Sequence, residues 1–403
     1  MDSNSQHGES ERAIGFMTNR PEILTASAFA SRLGAFYAAF FAGVGVQMPF
    51  FPLWLEAKGL DARWIGIVLS APVLVRLFAV PIVTREADRR DALRAAIIVG
   101  SVGTMMGYAV IGLADGPFAI LMAFMLASVL VTPVIPLTDA YALRGLRRHG
   151  GIYGPVRLWG SAAFIVGNLA AGLLSTSIPP HQLIWLIVAG WAAAALASFT
   201  LAPLHADEPA NGPEASATAL LRNPALLVVI AAAALIQASH ATFYVFSTID
   251  WRAAGLDGLS IGALWALGVL AEIVLFAFAG RLPAAVGPAA LLGIGAAGGV
   301  MRWTVMALDP PTLLLPLLQC LHALSFGATH LGAMGFLARA APPGLAATAQ
   351  GYLAVAVAVA MAVLMMLSGL LYAAHGAFSY AAMALAATAG GCFALLLPRL
   401  EKS

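Results

Sequence analysis

Residues 204–223, LHADEPANGPEASATALLRN, are the only long polar connection in the interior of an otherwise almost continuously apolar chain. Their Pro, Gly, Ala and acidic content suits a flexible linker. Toward the N-terminus, a membrane-length window finds six apolar stretches, at 26–54, 62–83, 93–113, 117–143, 153–175 and 181–203. Six more follow the linker, at 224–250, 259–281, 288–308, 311–339, 346–373 and 376–398. A helix crosses the hydrocarbon core with about 20 apolar residues. Barrel strands would alternate apolar and polar residues over about ten positions, whereas these runs are continuous and rich in Ala, Leu and Gly. The expected fold is an all-α polytopic membrane protein: twelve transmembrane helices in two six-helix bundles, 25–203 and 224–403. Residues 1–24 are expected to be a cytoplasmic tail and 204–223 a cytoplasmic linker.

The composition agrees. Of 403 residues, 61% are hydrophobic and 10% charged, with a mean hydropathy of +0.89, whereas a soluble domain is nearer a quarter charged. A soluble enzyme, a nucleic-acid binder and a disordered chain are thereby excluded. The net charge of +2 identifies no partner. Cys320 and Cys392 sit in apolar segments with no metal-type spacing and read as small hydrophobes.

Positive residues collect on the cytoplasmic side of membrane proteins. With the N-terminus inside, the inner segments carry Arg12, Arg20, Arg32, Arg85, Arg89, Arg90, Arg94, Arg144, Arg147, Arg148, Arg222, Arg281, Arg339, Arg399 and Lys402. The outer loops carry Lys58, Arg63 and Arg252. Both termini are therefore expected in the cytoplasm.

Charge inside a span costs at least about 2.5 kcal/mol on insertion scales, so intramembrane ionic residues are candidates for function. Arg76, Asp139, Arg157, Glu272 and Arg302 stand clearly within spans, joined by His240, His322 and His330. Arg157, Ser161, Phe164 and Asn168 fall on one helical face of span five. Arg157 reads either as a clamp for a substrate carboxylate, which its planar fork matches, or as the partner of Asp139 in a gate or ion pair. Arg76 has three open readings: snorkelling, contact with substrate, or pairing with Asp139. The stretch VTREADRR, 83–90, reads as a latch where helices two and eleven meet.

Span seven carries Gln237, His240, Tyr244 and Ser247 in one polar line, expected to face a cavity. Span eight places Trp265, Gly268 and Glu272 on one face, and its apolar surroundings disfavour a charged carboxylate, the property a proton carrier needs. Arg302 on span nine, Gln319 and His322 on span ten complete an acid, a fixed cation and a switchable base on three successive helices, which read either as proton coupling or as a structural ion pair. On span one, Tyr37, Phe40, Gln47, Phe51 and Trp54 lie near one face, which Gln47 assigns to the cavity. No HExxH or clustered metal spacing exists, so neither a metal nor a cofactor is expected, and an integral-membrane enzyme is the least favoured class.

Several blocks in order carry a family resemblance: FFPLWLEAKGL (50–60), YGPVRLWGSAAFIVGN (153–168), SHATFYVFSTIDWRAAGL (239–256), LGVLAEIVLFAF (267–278), MRW (301–303) and the stretch from Gln319 to Met334. From about 26 to 398 the chain resembles the major facilitator superfamily, and more narrowly the phenylpropionate permease family of bacterial proton symporters. The resemblance implies alternating access and proton-coupled import, with 3-phenylpropionate the substrate that names the family. It also implies residence in the bacterial inner membrane as a monomer, with lipid, a proton and a small molecule as partners. The related oligosaccharide–proton symporters place an acid on helix eight, an arginine on helix nine and a histidine on helix ten, positions that Glu272, Arg302 and His322 match. They also carry a carboxylate one turn after that histidine, where this chain has Ser325, so that the proton must ride on Glu272 or a histidine. The expected substrate is an aromatic monocarboxylate, bound by Arg157, Asn168, His240, Tyr244, Trp265, Gln47 and Gln319. The alternatives are a sugar or nucleoside proton symporter, or a proton-driven exporter.

Overall fold

The structure is a computed structural model that describes residues 25–204, 220, 222–283, 286–341 and 345–400. The expected tail, 1–24, and nearly all of the expected linker lie outside the described residues. Everything regular within them is helical. In the first half the helices are α1 (Ala26–Ala57), α2 (Ala62–Arg89), α3 (Leu93–Leu113), α4 (Pro117–His149), α5 (Tyr153–Leu174) and α6 (Leu183–Ser198). The second half contains α7 (Pro224–Ala253), α8 (Gly258–Phe278), α9 (Pro288–Ala307), α10 (Thr312–Ala340), α11 (Ala346–His375) and α12 (Tyr380–Leu400). Among the described residues, 11 stretches are long and apolar enough to cross a membrane. The last of these, Thr348–Leu400, runs through both α11 and α12, which meet at Gly376 with a left-handed φ of 56°.

The ends follow local chemistry. Thr25, Asp61, Asn223 and Asp257 each accept a backbone N–H in the first turn of α1, α2, α7 and α8, satisfying a donor that the helix itself leaves unpaired. The N–H of Ser260 holds the Asp257 carboxyl below its ordinary range. Helices α2 and α4 run on to Arg89 and His149, six residues past the expected limits of 83 and 143. Hydropathy registers the hydrocarbon slab, whereas a helix continues into water until a turn stops it. For α4 that turn is Gly150, at φ 76°.

Within the first half, α1 packs on α5 and α6, α3 on α4 and α6, and α2 on α4. Within the second, α7 packs on α11 and α12, and α9 on α10 and α12. Two main seams join the halves, α2 with α11 and α5 with α8, with a lesser contact between α1 and α7. Both are closest at the end bearing the α1–α2 and α7–α8 turns, and both are built of glycine. A methyl at Gly66 would stand 2.9 Å from Gly369 Cα, and Gly172 and Gly258 each face the other's carbonyl oxygen. Gly262 packs on the Asn168 carbonyl. At this end, among the described residues, no ion pair or side-chain hydrogen bond crosses between the halves.

Two expectations are corrected. Among the described residues, no ion pair joins the acidic and basic residues of 83–90 to α11. Glu86 pairs with Arg89 and Arg90 of its own helix, and Arg144 of α4 reaches Asp88 at 3.9 Å and Asp91 at 3.0 Å, so the turn is tied to its own half. The aromatic line of α1 does not face the cavity either. Phe40 meets Trp191 at 5.0 Å and Phe51 meets Phe124 at 4.8 Å, while Trp54 Nε1 donates to the His181 carbonyl. The largest side chains gain most from dry burial, and this face forms the core of the first half.

Candidate functional site

A cavity of about 760 Å³ lies between the halves, within the range of small-molecule sites. The first half supplies Phe41, Val44 and Met48 from α1 and Arg157, Leu158, Ser161 and Phe164 from α5. Phe41, Val44 and Met48 have helical spacing and lie one position around from the buried aromatics. Sequence reading missed them because they carry no polar residue. The second half supplies Phe243 and Tyr244 from α7, and Trp265, Gly268, Val269, Glu272 and Phe276 from α8. Arg302 from α9 and Gln319, His322, Phe326 and His330 from α10 complete it.

Arg157 is the cation of the first-half wall. Its guanidinium lies 4.1 Å from the Phe41 ring centroid and 5.4 Å from that of Tyr37. No carboxylate among the described residues is within ion-pair distance of it. Asp139 is separated from Arg157 by Tyr37, and its Oδ1 accepts hydrogen bonds from the hydroxyls of Tyr37 and Tyr153. The direct Asp139–Arg157 pair, one of the two readings of Arg157, is not formed, and Asp139 is held by two phenols instead. Arg76 is exposed at the middle of α2, outside the cavity, and forms no ion pair among the described residues.

On the opposite wall the polar groups interlock. Arg302 is fully buried, with its guanidinium 4.5 Å from the centroids of both Phe243 and Trp303. It donates from Nη2 to Gln319 Oε1 at 2.6 Å and from Nη1 to His322 Nδ1 at 3.2 Å. An arginine only donates, so Nδ1 of His322 presents its lone pair. The neutral ring then carries its hydrogen on Nε2, which stands 3.6 Å from Glu272 Oε2. The chain of contacts is Gln319–Arg302–His322–Glu272, spread over α8, α9 and α10. Helix α10 is π-helical over Ala323–Ala328, just after His322, a distortion frequent at functional sites.

Trp265, Gly268 and Glu272 share the cavity side of α8. Trp265 Nε1 donates to Thr248 Oγ1 at 3.1 Å, and its ring lies 4.7 Å from that of Phe243 and 6.1 Å from that of Tyr244. The expected polar line of α7 is split, because the helix breaks at Ser239–His240 between segments ending at Ala238 and starting at Ala241. Only Tyr244 of that line reaches the cavity. His240 is fully buried behind it, with Nδ1 3.0 Å from the Gln237 carbonyl and Nε2 3.0 Å from Ser325 Oγ. A carbonyl only accepts, so Nδ1 bears the hydrogen, and the single hydroxyl hydrogen of Ser325 is shared between His240 Nε2 and the Leu321 carbonyl, 3.1 Å away. Asn168 also lies outside the cavity, one turn beyond it in the α5–α8 seam, where its Nδ2 donates to the Phe164 carbonyl. Gln47 is turned toward the Tyr108 hydroxyl in the first-half core. The expected substrate contacts of His240, Asn168 and Gln47 are thus not made by the cavity wall. Arg157, Tyr244, Trp265, Glu272, Arg302, Gln319 and His322 are brought together there.

The chain is 31% identical over 350 residues to a probable 3-phenylpropionic acid transporter of Escherichia coli, covering 85% of this chain and 91% of that one. It is 29% identical to the maltose permease of Geobacillus stearothermophilus, over 78% of this chain and 80% of the relative. The crystal structure of the nucleoside transporter NupG superposes with a TM-score of 0.80 at 16% identity, covering 93% of this chain and 99% of that one. The family model described as "MFS_1 like family" matches residues 30–382. This chain therefore belongs to the MFS_1-like family of major facilitator transporters, and it is a multi-pass membrane transporter rather than an enzyme.

Proposed function

We propose that the protein is a proton-coupled symporter that imports an aromatic monocarboxylate by alternating access, with twelve spans in two six-helix bundles and both termini in the cytoplasm. The observation that carries this reading is the cavity itself, where an arginine with no carboxylate partner among the described residues faces a ring-lined wall ending in the half-buried Glu272 beside the buried His322. Arg157 is assigned to the substrate carboxylate. Trp265, Tyr244 and Phe243 offer faces for an aromatic ring. Arg302 is committed to Gln319 and His322, which makes Arg157 the cation with donors to spare. Glu272 carries the proton, under the influence of the His322 Nε2–H directed at it and the fixed charge of Arg302. Ser325 cannot take the carrier role, since its hydroxyl serves His240.

Sequence similarity to a probable 3-phenylpropionic acid transporter supports the substrate class. Access follows from the seams. They are closed at the end assigned to the outside by the distribution of arginines, so the cavity opens toward the cytoplasm. One monoanion moving with one proton is electroneutral, and uptake would follow the pH gradient alone. A second reading, saccharide–proton symport, draws on the similarity to the maltose permease. The deciding experiment is uptake of labelled 3-phenylpropionate into proteoliposomes with an inward proton gradient. Accumulation that collapses on adding a protonophore is expected. Accumulation of maltose instead, with none of the acid, would replace the first reading by the second.

A further inference from the structure

A second large cleft, of about 640 Å³, lies far from the substrate cavity, where α1, α3 and α6 end on the side opposite the glycine seams. Ser31 and Arg32 come from the second turn of α1, Arg94 from the start of α3, and Phe199, Thr200, Leu201 and Pro203 from the segment after α6. Arg94 is held in place by that segment: Nε donates to the Leu201 carbonyl at 2.6 Å and Nη2 to that of Phe199 at 3.3 Å. These bonds cap the end of α6 and leave the Nη1 hydrogens unspent. Arg32 is exposed and forms no ion pair among the described residues. Both arginines line this one cleft. No carboxylate among the described residues lines the cleft.

Two neighbouring cations without a counter-charge favour an anion between them. The rest of the cleft decides which anion. Its other wall is apolar, made by Ala35, Leu201 and the exposed ring of Phe199, and it continues along the outer face of α6 to the exposed Leu196. A cationic end at the helix termini with an apolar wall running up the span matches a phospholipid, whose phosphate and acyl chains are joined in that order. A free phosphate would leave the wall unused. Basic pockets between helices on the cytoplasmic face, where anionic lipids concentrate, suit such head groups.

We propose that this cleft binds an anionic phospholipid of the cytoplasmic leaflet, with the phosphodiester between Arg32 and Arg94 and the glycerol and first acyl carbons against Phe199. The proposal rests on the membrane orientation given above and not on the substrate assignment. Bound lipid ties the start of α1 to α3 and α6.

The test is lipid titration of the purified full-length protein by native mass spectrometry, using phosphatidylglycerol and phosphatidylcholine of matched chains as probes. Wild type is expected to retain phosphatidylglycerol preferentially. Arg32→Gln should weaken that retention about fivefold, the worth of one cation near an anionic surface, while Arg148→Gln, an exposed arginine elsewhere on the same face, should leave it unchanged. Equal retention of phosphatidylglycerol by wild type and Arg32→Gln would overturn the proposal. So would displacement of the lipid by millimolar inorganic phosphate, which would mark a site for soluble anions. A gain in retention on Glu22→Gln as large as the loss on Arg32→Gln would assign the cleft to the chain's own N-terminal segment and equally overturn it. The readout needs no transport, so a failed uptake assay leaves it standing.

Discussion

Replacing Gly66 by alanine should shift the protein toward opening at its closed end. The added methyl would stand 2.9 Å from Gly369 Cα and 2.9 Å from the Met365 carbonyl oxygen. Both neighbours are backbone atoms, so no side chain can rotate away, and α2 and α11 must separate by a sizeable fraction of an ångström. Overpacking of this kind costs about 1–3 kcal/mol. The cost falls only on the state in which the seam is shut, so the ratio of open to closed forms should rise about 5–150-fold. The α5–α8 seam is separate, and Gly172→Ala should add a similar increment, as distant sites do. A methyl added at Gly351 on α11 would meet nothing within 4 Å, and Gly351→Ala is the control. The assay places a cysteine at Val269 in the cavity, with Cys320 and Cys392 changed to serine, and measures labelling by an impermeant maleimide from the closed-end side of sealed vesicles. Gly66→Ala should accelerate labelling at least fivefold by the same estimate, and the double variant more. Unchanged labelling in the double variant, with normal yield of monodisperse protein, would refute the assignment of the seams as the gate.

Three further outcomes follow from the cavity. Arg157→Lys replaces a planar fork by a point charge and should raise the KM for an aromatic monocarboxylate about tenfold or more, since a charged hydrogen bond is worth about 1.5–3 kcal/mol; an unchanged KM in the uptake assay removes the clamp. Glu272→Gln should abolish uphill accumulation yet spare exchange of labelled for unlabelled substrate, and equal loss of both would make Glu272 structural. Gln319→Leu leaves an N–H of the buried Arg302 without its acceptor, and should destabilise the protein by about 1–3 kcal/mol, read as a lower midpoint of thermal unfolding in detergent with and without substrate.

The parts of the molecule that were legible in the sequence are those governed by one-dimensional signals. The apolar stretches located the spans because the membrane imposes a fixed length, and the spacing of Trp265, Gly268 and Glu272 gave a true face because α8 is continuous. The same logic failed on α7, where the helix breaks at Ser239–His240 and only Tyr244 reaches the cavity, with the His240 ring stacked 5.8 Å behind it. It failed on α1 for another reason. Helix α1 is buried on several sides, so a polar residue such as Gln47 does not distinguish the cavity from the core, and the actual cavity face of Phe41, Val44 and Met48 carries no marker. Asn168 lies on the face of α5 that spacing predicted, but one turn too far along, since periodicity fixes direction and not depth. The partners of Asp139 were likewise invisible, as Tyr37 lies 102 positions away in the chain.

The glycine seams have a kinetic consequence. A gate held by ion pairs is loosened by salt, because exposed charges are screened over about 8 Å at physiological ionic strength. Here the glycine seams of the shut end join backbone to backbone, and among the described residues no ion pair or side-chain hydrogen bond must be broken when it parts. The rate of opening should therefore be nearly indifferent to ionic strength. The resisting force is close packing between helices, which yields to temperature and to the lateral pressure of the surrounding bilayer. A cell could then change the salt on either side of the membrane without altering how fast the transporter turns over.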